Sequence, residues 1–274
     1  MQLSPIHQAP AHALLERACE RYGATSMKRM AEMLEIACGR RAAHPPADER
    51  QSQSPMTVPG LSATPWHEAH ALRIARELEQ SWEAIREELF GALGRKAGFQ
   101  HFVSMDPASA TDTPKEWKAL YLRNGGIDLT ENRQLCPQTA YLIGSKQVNG
   151  LVMFSALDPG GHVPPHQAGW NAMLNLHLGL SIPPDCGLRV AGTTKIWQEG
   201  RCLLFDECFM HESWNNGPRT RFILLVNVWH PELTEPEIEF LDILTDFLDA
   251  GETTPHALAR RNGRHELAGQ QWWT

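Results

Sequence analysis

Two histidines carry the sharpest chemical signal in the sequence. His166 closes the Pro-rich stretch His162-Val-Pro-Pro-His166, just before a run that alternates like a strand. His211 lies in Phe205-Asp-Glu-Cys-Phe-Met-His211-Glu212, after the short apolar run Cys202 to Phe205. At the mouths of neighbouring strands, two imidazoles can converge on one metal, because ring nitrogens reach iron or zinc at about 2 Å. The bland alternative is two separate loop histidines, since an isolated spacing is weak evidence for a metal. Asp206 and Glu207 lie near enough to orient His211 from behind, and Asp206 serves equally as a turn residue. Trp170, Met173 and Trp214 are candidate pocket walls or plain core.

The elements that must position these residues are short strands. In Ala172 to Ile182, Leu174, Leu176, Leu178, Leu180 and Ile182 point one way, and Met173, Asn175, His177 and Gly179 the other. Arg221 to Trp229 alternates in the same manner. Ahead of them, Thr64-Pro65 has the form of an N-cap and first helical residue, and Leu72, Ala75, Leu78, Trp82, Ile85 and Leu89 recur at helical spacing. Thr234-x-x-Glu237 is a capping box for a last helix ending near Gly251. The spacing predicts a mostly β body with flanking helices, a double-stranded β-helix of jelly-roll, cupin-like form. We expect four segments: a helical hairpin over 1–40, a Pro-rich linker over 41–63, the body over 64–251, and a polar tail over 252–274.

Composition narrows the function classes. The chain has 274 residues, Lys+Arg 25 against Asp+Glu 32, and a formal charge of −7, which argues against a nucleic-acid partner. No apolar run reaches the roughly 18 residues of a membrane span, and the N-terminus lacks a secretory pattern. Six cysteines without a CxxC pair fit reduced thiols in a cytoplasmic protein.

From about Trp117 to Leu233 the sequence resembles the aspartyl/asparaginyl β-hydroxylase family of iron(II)- and 2-oxoglutarate-dependent oxygenases. The resemblance rests on His162-Val-Pro-Pro-His166, His177-Leu-Gly-Leu180, Trp197-Gln-Glu-Gly200, Leu204-Phe-Asp206, Phe209-Met-His211-Glu212, Trp214, Arg221 and Val228-Trp-His-Pro-Glu-Leu233, in this order. It implies iron(II) held by His166 and His211, with 2-oxoglutarate and O2 as co-substrates. Related oxygenases place a carboxylate two residues after the first histidine, where this chain has Ala168. This family also lacks a carboxylate there, so the resemblance implies only two protein ligands. It further implies Arg221 and Ser155 for the distal carboxylate of 2-oxoglutarate, with His177 lining the same site.

Asn175 departs from the family, which usually has Arg at that position for the proximal carboxylate. Arg123 is a candidate replacement cation, or an ordinary exposed Arg before the Asn124-Gly-Gly126 turn. The resemblance implies hydroxylation of an aliphatic carbon in a small-molecule, carrier-bound or amino-acid-type substrate. Two rival expectations stand beside it. One is a halogenase that uses the vacant position at Ala168; the other is a non-catalytic jelly-roll binding protein.

Overall fold

A computed structural model describes residues 3–95, 99–101, 114, 116–124 and 127–251. Gly125 and Gly126 of the expected turn, and the expected polar tail over 252–274, lie outside the described residues. The chain forms two compact units. One takes the described parts of Met1–Ala63, Gly169–Ala172 and Trp229–Thr274; the other takes those of Thr64–Ala168 and Met173–Val228. Among the described residues, no helix is long and apolar enough to cross a membrane.

The first unit is helical. It comprises α1 (Pro5–Tyr22), α2 (Lys28–Ala37) and α7 (Glu235–Gly251). Gly23 turns the chain between the first two at φ 86°, a conformation that costs glycine little. Met30, Met33, Leu34 and Ala37 of α2 are buried, as are Phe240, Leu241 and Leu244 of α7. Arg29 reaches Glu237 in an ion pair, and Arg21 and Tyr22 both bond Glu239. The described chain from Trp229 onward groups with the N-terminal helices in this unit. The stretch over 41–63 contributes to the packing of this unit. Val58 is fully buried, and the Asn171 side chain both accepts from its N–H (2.8 Å) and donates to its C=O (3.0 Å).

The second unit is the β body. Its strands are β1 (Trp66–His67), β2 (Gln100–His101), β3 (Trp117–Asn124), β4 (Ile127–Asp128), β5 (Val148–Leu157), β6 (Gly161–His166) and β7 (Met173–Ser181). There follow β8 (Cys186–Val190), β9 (Thr193–Lys195), β10 (Cys202–Phe205), β11 (His211–Asn215) and β12 (Arg221–Trp229). The α-helices of this unit that precede β5 are α3 (Arg73–Gln80), α4 (Trp82–Gly94), α5 (Thr130–Leu135) and α6 (Pro137–Leu142). One sheet has the order β1-β10-β7-β12-β5-β3-β2, with β4 on β3, and the other has the order β6-β11-β8-β9. From β5 to β12 the chain crosses from one sheet to the other and back. That path is the double-stranded β-helix expected from the strand pattern.

The leucine face of β7 packs outward. Leu174, Leu176, Leu178 and Leu180 join Phe154, Leu224, Val226 and Leu204 in one cluster with Ile74, Leu78, Ile85 and Leu89 of α3 and α4. The opposite parity of the same strands therefore faces the second sheet. Gly179 shares that parity, and a side chain is excluded there because a Cβ would stand 2.3 Å from the Gln198 carbonyl oxygen. The helix expected from Thr64 begins instead at Arg73 and breaks at Ser81. Trp66 and His67 pair with Phe205 and Leu204, so sheet hydrogen bonds override the local helix-start signal.

Candidate active site between the two sheets

β6 ends at His166 and β11 begins at His211, and the two residues are direct partners in the ladder. Their rings lie 4.1 Å apart, centroid to centroid, inclined by 52°. The Nδ1 of His166 is 2.8 Å from the Pro164 carbonyl oxygen, and the Nδ1 of His211 is 2.9 Å from that of Phe209. A carbonyl only accepts, so each Nδ1 carries the proton and each Nε2 keeps its lone pair for a metal. Burial lowers the pKa of His166. Burial, with the neighbouring His166 ring next, takes His211 down to about 3. Both rings are thus neutral near pH 7, the form that ligates. Among the described residues no group of three or more His, Cys, Asp or Glu side chains could hold a metal, so this pair offers two ligands and an open remainder. Ala168 brings only a methyl group, and its N–H donates to the Glu207 backbone carbonyl at 2.8 Å.

Deeper on the inner face lies an unpaired cation. Arg221 is 2% exposed, has no carboxylate partner among the described residues, and leaves its Nε without a hydrogen bond. The Trp197 ring lies 5.0 Å from its Cζ. Burial lowers its pKa to about 10, which keeps it charged at neutral pH. A lone buried charge costs several kcal/mol, so this arrangement calls for an anion from outside. His177 is also buried, with both ring nitrogens unpartnered. It stacks toward Trp197 at 6.1 Å and meets the edge of Phe205 at 5.0 Å. Burial first, then Arg221 and His211, hold it well below the ordinary histidine value. Ser155, 1% exposed, accepts a 2.9 Å hydrogen bond from Trp117 Nε1.

Asn175 shares the inner face, but its amide is committed. Asn227 Oδ1 accepts from the Leu151 N–H, so Asn227 Nδ2 must donate to Asn175 Oδ1 at 2.5 Å. Asn175 Nδ2 in turn donates to Glu207 at 2.8 Å. Asn175 is thus the middle of a side-chain amide chain that holds Glu207. Burial and the nearby Asp206 raise the Glu207 carboxyl to about 7. Arg123 is likewise engaged elsewhere. Its Nε donates to Asp128 at 2.8 Å and its Nη1 to the Val148 carbonyl at 3.2 Å.

Asp206 accepts from the Cys208 N–H at 2.8 Å, a bond typical of a turn residue. Met173 stands on the inner parity of β7, against Gly150. Trp214 is not a pocket wall. It stands on the outer face, packed on Gly187 under Arg189 at 5.3 Å, because an odd separation from His211 turns it away. Trp170 falls in the helical unit, edge to face with Trp229 at 5.8 Å. The site residues that sequence reasoning left without a role are Trp117, Trp197 and Asn227. Trp197 was present only as a letter in a motif, and Trp117 needed the β3–β5 register to bring it to Ser155.

Comparison with known proteins matches residues 79–231, more than half of the chain, to the family described as aspartyl/asparaginyl beta-hydroxylase. The chain is similar to the human aspartyl/asparaginyl beta-hydroxylase, with 35% identity over 65% of this chain and 24% of that protein. It is equally similar to the ornithine lipid ester-linked acyl 2-hydroxylase of Rhizobium tropici, with 35% identity over 62% of each chain. The human aspartate beta-hydroxylase domain-containing protein 2 is 33% identical over 68% of this chain and 53% of its own. The chain thus spans between a quarter and about six tenths of the length of these relatives. Among solved structures, the polyketide cyclase RemF from Streptomyces resistomycificus superposes with a TM-score of 0.32 and 15% identity, over 60% of this chain and 94% of that one. That superposition is loose, and the architecture rests on the strand order itself.

Proposed function

The chain belongs to the aspartyl/asparaginyl β-hydroxylase family, and on that premise we propose that it is an iron(II)- and 2-oxoglutarate-dependent hydroxylase of an aliphatic carbon in a small-molecule or amino-acid-type substrate. The observation that carries this reading is the buried, unpaired guanidinium of Arg221 on the inner face of the β body that also holds the His166–His211 pair. His166 and His211 would hold the iron through Nε2. Bound there with 2-oxoglutarate and O2, iron supplies the oxidising power for inserting oxygen into a C–H bond.

The chain's own residues bind and orient. Arg221 and Ser155 take the distal carboxylate, since the guanidinium fork matches a carboxylate and a hydroxyl can donate beside it. Neutral His177 turns an N–H to the same co-substrate. Trp197 and Phe205 exclude water around it, which strengthens each charge-assisted contact. The wider family match supports hydroxylation over halogenation at the position that Ala168 leaves open. The relatives' names point to an aspartyl or asparaginyl residue in one and an acyl chain in another, so the substrate is the open part of this proposal.

The test is anaerobic titration with iron(II) and then 2-oxoglutarate, followed by turnover in air with a panel of small substrates. A weak visible charge-transfer band should form, be lost in His166→Ala and His211→Ala, and be followed by succinate and a product gaining one oxygen with or without chloride. Absence of both the band and 2-oxoglutarate consumption, or a product carrying chlorine, would overturn the proposal.

A further inference from the structure

β1 is an edge strand of the first sheet, and β9 is an edge strand of the second. Side chains directly opposed in a ladder point to the same face. Phe205 is the partner of both Trp66 on β1 and Asn175 on β7, so Trp66 lies on the inner face. Val190 is the partner of both His211 on β11 and Thr193 on β9, and Leu188 of both Ser213 and Lys195. Lys195 therefore shares the face that carries His211. The two inward residues meet across the seam between the sheets, with Lys195 Nζ 4.5 Å from the Trp66 ring centroid.

The ring holds the ammonium without neutralising it. A cation over an indole face keeps N–H donors for another partner. Lys195 is half-buried, and among the described residues its ammonium has no hydrogen bond and no carboxylate partner. It opens on a cavity of about 480 Å³ shared with Leu203, the ladder partner of His177. Glu79 lines the same cavity but is already matched, by Arg201 (3.0 Å), His70 (3.0 Å) and the Cys202 N–H (2.8 Å). The charge of Lys195 is left over. The Trp66 ring is 5.8 Å from Phe205, and the Phe205 ring is 5.3 Å from His211. An anion on Lys195 thus stands two ring contacts from the metal pair, several bonds from any carbon attacked there.

We propose that Lys195 is a specificity-determining residue that binds an oxyanionic group of the substrate, a carboxylate or a phosphate, remote from the carbon that is hydroxylated. This deepens the function proposed above and rests on it. Arg221 serves the co-substrate, and Lys195 is a second inward cation, free for the substrate. Its ammonium is a point charge that meets either anion without the planar match a guanidinium demands. The rings of Trp66 and Phe205 floor the apolar stretch between that charge and the reacting carbon. A carboxylate next to the reacting carbon would not reach Lys195.

The experiment loads the full chain with manganese(II) and 2-oxoglutarate and follows probe binding by calorimetry and by metal-enhanced relaxation of the probe protons. The probes are N-acetylnorleucine and hexyl phosphate, each against a neutral counterpart, N-acetylnorleucine methylamide and hexanol. Wild type should bind at least one anionic probe about tenfold more tightly than its counterpart, the scale of one charge-assisted bond, with the protons of its apolar end relaxing fastest. Which probe shows the preference tells carboxylate from phosphate. Lys195→Met, which keeps the stem over Trp66, should remove the preference, and Lys195→Arg should keep most of it. Equal binding of charged and neutral probes, binding of neither, a preference that survives Lys195→Met, or fastest relaxation at the charged end would overturn the inference. If Lys195→Met does not fold, Lys195→Gln is read by the same criteria. A wild-type chain that binds manganese but no 2-oxoglutarate removes the proposed function itself, a result distinct from all of these.

Discussion

The charges of this site are set by burial, and each residue can be tested by what burial did to it. Arg221 has no carboxylate partner among the described residues, so on the proposed function its burial cost is met by the co-substrate. Arg221→Ala should weaken 2-oxoglutarate at least tenfold, a charge-assisted bond contributing about 1.5–3 kcal/mol, and Arg221→Lys should recover only part of it because an ammonium lacks the fork. Unchanged affinity in Arg221→Ala, read by calorimetry, would show that the anion sits elsewhere. Glu207 gives a pH signature in the metal-free protein. Its carboxyl is raised from 4.5 to about 7, so between those values the folded chain holds a proton that the unfolded chain has released. Stability from this group is therefore full below about 4.5 and is lost as pH rises to about 7. The lowered histidines act in the opposite sense, adding stability as pH climbs toward their ordinary 6.5. Comparison with Glu207→Gln separates the two: the variant should gain on the wild type steadily across the window from 4.5 to 7 in denaturant unfolding. A constant difference over that range would mean Glu207 ionises normally.

At the scale of elements, strands place the chemistry and a single amide secures the strand that matters most. Asn215, fully buried at the end of β11, donates to the carbonyls of Leu157 (2.7 Å) and Arg219 (2.9 Å) and accepts from the Gly217 N–H (3.0 Å). It pins the loop that delivers Arg221 to β12. Asn215→Ala leaves these buried groups unmatched and should cost about 2–4 kcal/mol in chemical unfolding, with weaker 2-oxoglutarate binding from a loosened Arg221. A cost below about 1 kcal/mol would mean the loop is held by its other contacts. Much of this arrangement was legible in the sequence. The alternation in β7 separates a leucine face from Asn175 and His177, and that parity alone turned His177 inward. What was not legible depended on partners distant in sequence. Asn175 could not be seen to serve Glu207 until Asn227 fixed which way its amide points. Arg123 meets Asp128 only because β4 folds back on β3. The helix-start signal at Thr64-Pro65 was sound locally and lost to pairing of Trp66 and His67 with β10.

At the scale of the whole molecule, the chain divides its labour between a helical unit and a β body, each with its own fastening. In the helical unit the Glu237 side chain, 4% exposed, binds Arg29 and also caps α7 through the Thr234 N–H at 2.9 Å. Glu237→Ala removes both and should cost about 2–3 kcal/mol, seen as faster hydrogen exchange in α1, α2 and α7. Unaltered exchange in those helices would assign the fastening to apolar packing alone. The β body has a different economy. Each putting-in-place of an imidazole, His166 by Pro164 and His211 by Phe209, uses a main-chain carbonyl two residues upstream in the same segment. No side chain takes part, so no substitution elsewhere in the pocket can remove that orienting bond. A lineage carrying this device is free to change the residues around the metal while each ligand keeps its tautomer and aim. On the proposed function, divergence in what the site accepts then costs nothing in how the two imidazoles would hold iron.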